Sequence, residues 1–190
     1  MRCVVCNSLS IFRPICKKCQ TSFLIPQISK RDFGGFEIIS FYPYSHIEPL
    51  IKYKYKPLGS KIYSIMAKYT FSLFGHHYKI DDKIYAIPID DNVDKGYSHT
   101  AILTKNLQSK NIKPIFGKLL ATNSMKYAGT SLEFRKNNKR DFKYYGEKNI
   151  NVILVDDIVT TGSTILEAKN ILEYNGVNVI FALVLADAKE

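Results

Sequence analysis

No apolar run in this 190-residue chain approaches the roughly 20 residues that a membrane span requires. The N-terminus holds cysteines and arginines where a secretion signal would need an apolar core, so the chain is expected to stay in the cytosol. Two common phosphate-binding motifs are missing as well. There is no G-x4-G-K-[ST], which argues against a P-loop NTPase, and no G-x-G-x-x-G follows any expected strand. A response-regulator acid pocket would want a phosphoacceptor on a second strand, and none is found. Internal repeats and long low-complexity tracts are absent, and no cysteine stands after Cys19.

What is present suits one globular domain with a small appendage. The hydrophobic fraction of 46% is ordinary for a folded protein and too high for a disordered one. The charge is uneven: 27 Lys and Arg stand against 17 Asp and Glu, a formal +10. Such an excess favours nucleic acid or phosphorylated ligands, although a merely solvated lysine surface would look the same.

All four cysteines lie in the first 19 residues, as C-x2-C at Cys3 and Cys6 and again at Cys16 and Cys19. Two short knuckles of this spacing can present four sulfurs tetrahedrally, the arrangement of a structural zinc site with no open coordination position. Disulfides are the less expected reading in a cytosolic chain. A segment this short cannot build its own core, so the metal would supply its folding energy.

Residues 20–35 contain a proline and a Gly-Gly pair and read as a linker. The expected organisation is therefore a zinc module and linker over 1–35 and a second domain over 36–190. Residues 36–43 are rich in strand formers. Ser45 followed by Glu48 is a capping-box signature, predicting a helix to about Lys56 that Pro57 and Gly59 end. A second helix is expected over 60–74, with Ile62, Ile65, Met66, Tyr69 and Leu73 on one face. Lys52, Lys54 and Lys56 alternate with Tyr53 and Tyr55. Such interleaving can bind nucleic acid by charge and stacking, and it equally fits a partly buried helix in which the tyrosines pack.

From residue 84 onward, short apolar strands ("IYAIPI", "KPIF", "NVILV", "VNVIFALVLA") alternate with helical segments, one across 98–109 and one across 163–176. Alternation with continuously apolar strands predicts an α/β fold, a parallel sheet covered by helices on both faces. Between them, residues 117–148 are polar and lack periodicity, and a loop of that length in a compact domain is usually functional or disordered.

Residues 152–164 read "VILVDDIVTTGST". Ligands of open parallel sheets bind beyond the carboxyl ends of the strands, and Asp156 and Asp157 follow such a run. Neighbouring carboxylates there can accept hydrogen bonds from vicinal sugar hydroxyls. Thr160, Thr161, Gly162, Ser163 and Thr164 then enter a helix, whose free N–H groups and hydroxyls suit a phosphate. Gly162 would let the backbone approach the anion. A plain strand-turn-helix with Thr161 or Ser163 as N-cap explains the hydroxyls but not the two acids.

This stretch resembles the phosphoribosyl-pyrophosphate (PRPP) motif of type I phosphoribosyltransferases in residue type and order. Together with the four-cysteine knuckles, the chain resembles the ComF (ComFC) family of competence proteins, a zinc module joined to a phosphoribosyltransferase-like domain. The resemblance implies ribose contacts at Asp156 and Asp157, which would also be the catalytic residues of an active enzyme. It implies the 5-phosphate at Thr160–Thr164, magnesium riding on the diphosphate, and one structural zinc.

Where the family shows Pro-Val-Pro and then Arg-Gly-Phe-Asn-Gln, this chain has Ala86-Ile87-Pro88 and Lys95-Gly96-Tyr97-Ser98-His99. Lys95, Gly96 and Arg135 are the diphosphate and loop candidates, and His99 is a general-acid candidate that also fits a helix-start surface position. No nucleobase pocket is recognisable. By the same resemblance the chain would handle incoming single-stranded DNA in natural transformation, at the cytoplasmic side of the inner membrane, with translocation or recombination proteins as partners. Lys52, Lys54, Lys56, Lys136, Lys139, Arg140 and Lys143 are the nucleic-acid candidates. The alternative is an active nucleobase-salvage phosphoribosyltransferase.

Overall fold

The computed structural model describes residues 1–79, 81–89, 96–122 and 140–189. Among them a six-stranded sheet runs in the order β1-β2-β8-β7-β3-β4. These strands are β1 (Ser29–Asp32), β2 (Glu37–Pro43), β3 (Ile84–Pro88), β4 (Ile112–Pro114), β7 (Asn151–Val159) and β8 (Asn178–Asp187). Every neighbouring pair is parallel except β1–β2, which is antiparallel. The expected α/β sheet is therefore present as a mixed sheet. A separate two-stranded ribbon pairs β5 (Leu119–Ala121) with β6 (Phe142–Tyr144).

The central strands β7 and β8 are mostly apolar because both faces are covered. On β7, Ile153 and Val155 enter one core cluster while Val152 and Leu154 enter the other; on β8, Phe181, Leu183 and Leu185 oppose Ala182 and Val184 in the same way. Alternate residues of a strand point to opposite faces, so a sheet buried on both sides shows no alternation in sequence. The first cluster is closed by helices α2 (Tyr44–Ile51), α3 (Gly59–Tyr69), α4 (Phe71–His77) and α5 (His99–Asn106). The second is closed by α6 (Ser163–Tyr174) through Ile165, Ala168 and Leu172.

Several local expectations change. Helix α2 starts at Tyr44 with Pro43 as N-cap and no side-chain cap, so the Ser45–Glu48 box does not form. Glu48 pairs instead with Lys52 at 3.0 Å, and the helix gives way to turns after Ile51. The long helix over 60–74 is two helices. Thr70 breaks it at φ −124°, ψ −85° with its hydroxyl donating to the Met66 carbonyl at 2.8 Å, and beyond the break Leu73 is left exposed. Within the stretch read as a linker, residues 29–32 form strand β1, pinned to β2 by Ser29–Ser40 (2.7 Å) and Lys30–Glu37 (3.0 Å).

The N-terminal segment packs directly on the sheet domain. Cys3, Ile15, Cys19 and Leu24 belong to the same buried cluster as Phe41, Ile47 and Met66. Tyr42 donates its hydroxyl to the Leu24 carbonyl at 2.9 Å, and Phe23 stacks on His46. A short helix, α1 (Lys17–Ser22), carries Cys19 inward.

Candidate functional site

Strand β7 outruns β3. Their pairing ends at Pro88–Val155, whereas pairing with β8 continues through Asp156–Val184 to Val159–Asp187. The two acids thus lie inside β7, not after it, at the point where its β3 side is given up. Asp157 is buried and Asp156 half-buried, and the Asp157 N–H donates to Asp156 Oδ1 at 2.8 Å.

After Val159 the chain turns through Thr160 and Thr161 to Gly162, which sits at the N-cap of α6 with φ 75°. That left-handed backbone favours glycine, and a Cβ there would come within 2.7 Å of the Phe33 ring. Thr161 Oγ1 lies 2.8 Å from Ser163 Oγ. Asp156, Thr160 to Thr164, Arg140 and Glu167 line one cleft. The first turn of α6 directs its N–H groups and the positive end of its dipole there, which suits an anion.

Two distant segments fix this cleft. Arg31 on β1 donates to the Thr160 carbonyl at 2.9 Å and to Asp187 Oδ1 at 2.8 Å, and its guanidinium stacks over Phe33. On the other side, the Glu167 carboxylate accepts from the Asp141 N–H (2.9 Å) and the Arg140 N–H (3.2 Å). Arg140 is thereby held at the cleft.

Asp157 has partners that the sequence reading assigned elsewhere. Its Oδ2 accepts from Lys54 Nζ at 2.6 Å and lies 3.5 Å from His99 Nε2. The turn carrying Lys54 is held by the Tyr97 hydroxyl, which donates to the Lys54 carbonyl. His99 packs edge-on against Tyr55 and Tyr63, whose own hydroxyl is buried with no hydrogen-bond partner among the described residues.

Burial and then the neighbouring Asp157 charge push the Asp156 carboxyl up to about 8. Burial would raise Asp157 too, but Lys54, His99 and a hydrogen bond with Asp156 hold it below the usual carboxylate range. Burial opposes the Lys54 charge, yet the Asp157 carboxylate keeps the ammonium above its ordinary range. A raised Asp156 beside a lowered Asp157 is the direction expected of two adjacent carboxylates when only one of them has a cation at hydrogen-bond distance.

The cluster gives Lys54 and His99 a place beside the acids, although neither spacing nor periodicity linked them to that site. Lys52 and Lys56 are exposed, the first paired with Glu48 and the second 4.8 Å above the Tyr53 ring. Lys143 is exposed on β6. Gly96 has φ 89°. Lys95, Arg135, Lys136 and Lys139 lie outside the described residues.

The four cysteines form a second site. Their sulfurs all lie within 4.8 Å of one another, with Cys6 Sγ to Cys16 Sγ at 3.8 Å. A tetrahedron with Zn–S bonds of about 2.3 Å has edges of about 3.8 Å, so the spacing fits one ion. It is far from the roughly 2.05 Å of a disulfide, and all four thiols are unbonded. The Cys16 N–H points at Cys3 Sγ at 3.3 Å, and Asn7, just past the first knuckle, and Phe12, between the two, take left-handed backbones.

No family model matches the chain. A stretch of 43 residues is 42% identical to the orotate phosphoribosyltransferase of Methanosphaera stadtmanae; it is 23% of this chain and 24% of that protein. The match thus spans about a quarter of the curated relative. Among solved structures, the chain is similar to orotate phosphoribosyltransferase from Aeropyrum pernix, at 20% identity and TM-score 0.42 over 91% of this chain and 81% of that one. It is also similar to adenine phosphoribosyltransferase from Saccharomyces cerevisiae, at 13% identity and TM-score 0.43 over 90% and 88%. A hypoxanthine phosphoribosyltransferase from Staphylococcus aureus matches at 14% identity and TM-score 0.41, over 67% of this chain and 64% of that one. Among the described residues no helix is long and apolar enough to cross a membrane.

Proposed function

We propose that the cleft at the end of β7 binds a phosphoribosyl ligand, either PRPP or a nucleoside 5′-monophosphate. The 5-phosphate would rest on Thr160 to Thr164 and the ribose hydroxyls on Asp156 and Asp157, with magnesium carried by a diphosphate when the ligand has one. The observation that carries this reading is the shared lining: Asp156 and the hydroxyl turn at the α6 N-terminus border one cleft, with Arg140 across it. A thermal-shift panel of PRPP, nucleoside monophosphates and inorganic sulfate tests it. A ligand that binds only the folded state must raise Tm. PRPP or a monophosphate should do so, and Thr161→Val with Ser163→Ala should abolish the shift.

The cysteine cluster would hold one zinc ion, with all four positions taken by protein, so its contribution would be structural. Metal analysis of freshly reduced protein should give one zinc per chain, and a metal-free, fully folded chain would overturn the assignment.

The ComF resemblance extends the reading to a cytosolic competence factor that handles incoming single-stranded DNA beside the inner membrane. The formal charge of +10 and the exposed Lys52, Lys56 and Lys143 support it. Retention on single-stranded DNA should fall with salt and with charge reversal at these lysines. Arg140 faces the phosphate cleft and belongs to that site in this reading. The alternative, an active salvage phosphoribosyltransferase, is favoured by the stretch shared with an orotate phosphoribosyltransferase. It would release pyrophosphate from PRPP in the presence of a purified base, and Asp157→Asn would abolish the release.

A further inference from the structure

Asp157 is already occupied. Its partner Lys54 is 20% exposed and Asp157 9%, so the pair sits largely out of water at 2.6 Å. The lysine reaches it from a turn built for the purpose. Residues 52–58 make successive turns, with Lys54 N–H to Ile51 O at 2.8 Å, Lys56 N–H to Tyr53 O at 2.9 Å and Gly59 N–H to Lys56 O at 2.8 Å. The Tyr97 hydroxyl closes on the Lys54 carbonyl, and a Cβ on Gly59 would collide with that hydroxyl and with the Tyr53 carbonyl. Lys54 is therefore no swinging surface chain.

Two carboxylates side by side repel each other, and a ribose offers them only neutral hydroxyls. Some cation has to offset the surplus charge. A divalent ion chelated by the ligand is one source; here the chain itself provides an ammonium at hydrogen-bond distance. Resting on the phosphoribosyl reading above, we propose that Lys54 is the resident counter-cation of the ribose acids. A ribose 5-phosphate group then binds without a divalent ion, and magnesium is required only by a ligand that brings its own diphosphate. This sets the ligand class of the site: a phosphate monoester of a ribose, with or without a base, satisfies it.

The test is calorimetric titration of ribose 5-phosphate, AMP and PRPP, each with and without millimolar magnesium. The buffer is freed of divalent ions on a resin and contains no soluble chelator, so the cysteines keep their metal. For the wild-type chain, magnesium should change the affinity for ribose 5-phosphate and AMP by less than about threefold, and that for PRPP by more than about tenfold. Lys54→Met should weaken ribose 5-phosphate by about tenfold or more without magnesium and recover part of that loss with it. Wild-type protein that binds PRPP with magnesium but needs magnesium equally for ribose 5-phosphate or AMP, or fails to bind them, overturns the proposal while leaving the phosphoribosyl site standing. A Lys54→Met protein with unchanged affinity overturns it as well. If the wild-type chain binds none of the three ligands in either buffer, the underlying reading fails with it. Should Lys54→Met not fold, the wild-type titration decides alone.

Discussion

Arg31 and Thr160 stand 129 positions apart, and the arginine donates to the threonine carbonyl at 2.9 Å while pairing with Asp187 at 2.8 Å. An edge strand near the N-terminus thus clamps the far end of β7, where the hydroxyl-rich turn begins. Arg31→Ala should cost about 2 kcal/mol of stability, the scale of losing hydrogen bonds to a largely buried carboxylate. It should also weaken phosphate-ligand binding. Arg31→Lys keeps the charge but not the fork and should recover only part of either. Urea unfolding and ligand titration of both variants check this.

Gly162→Ala should be destabilising for two separable reasons. A left-handed backbone costs a non-glycine residue about 1 kcal/mol or more, and the new Cβ would meet Phe33. Adding Phe33→Ala should relieve the collision but not the backbone cost. A double-mutant cycle should accordingly be non-additive, with the double variant more stable than the sum of the single losses. Strict additivity would show that Phe33 does not crowd the glycine turn.

Asp156 gives stability a pH signature. Its folded value of about 8 lies above the roughly 3.9 of an unfolded aspartate. A raised carboxyl contributes fully at pH below the unfolded value, and that contribution is lost as pH climbs through the folded one. Asp157, held low, remains ionised in both states above about pH 5 and adds no slope there. Between pH 5 and 9 the wild-type Tm should therefore fall, and Asp156→Asn should flatten that decline. A parallel decline in both proteins would show that Asp156 is not its origin.

Two buried tyrosines should respond oppositely to loss of a hydroxyl. Tyr42→Phe strands the Leu24 carbonyl and should cost about 1–3 kcal/mol. Tyr63→Phe removes a buried hydroxyl that has no partner among the described residues, so it should be neutral or stabilising. Thermal melts of the two variants are sufficient.

How much of this was legible beforehand follows from the range of each interaction. The strand, acids and glycine turn of 152–164 are local, and the α/β sheet with its covering helices follows from apolar runs long enough to fill two faces. The cysteine cluster follows from spacing alone. What sequence reading missed depends on tertiary proximity. Lys54 reaches Asp157 across 103 positions, and nothing in "IKYKYK" separates the middle lysine, which is half-buried, from its exposed neighbours. Strand β1 reads as linker because "SKRD" has no apolar face; it is ordered by backbone pairing and by charges found only on the folded surface. The acids fall inside β7 because β8 stays apolar through Ala186 and continues to offer a partner as far as Asp187.

The same polar strand has a bearing on how the protein behaves in concentrated solution. Unpaired strand edges recruit other chains, and natural sheets blunt them with charge, short length or proline. Here one border of the six-stranded sheet is closed by Ser29–Asp32, three of whose four side chains are charged, and the other by a three-residue strand that ends in Pro114. Cutting the chain after Asp32 would bare β2, whose Ile38, Ile39 and Phe41 are buried in the intact fold, and would turn a guarded border into a template for self-association.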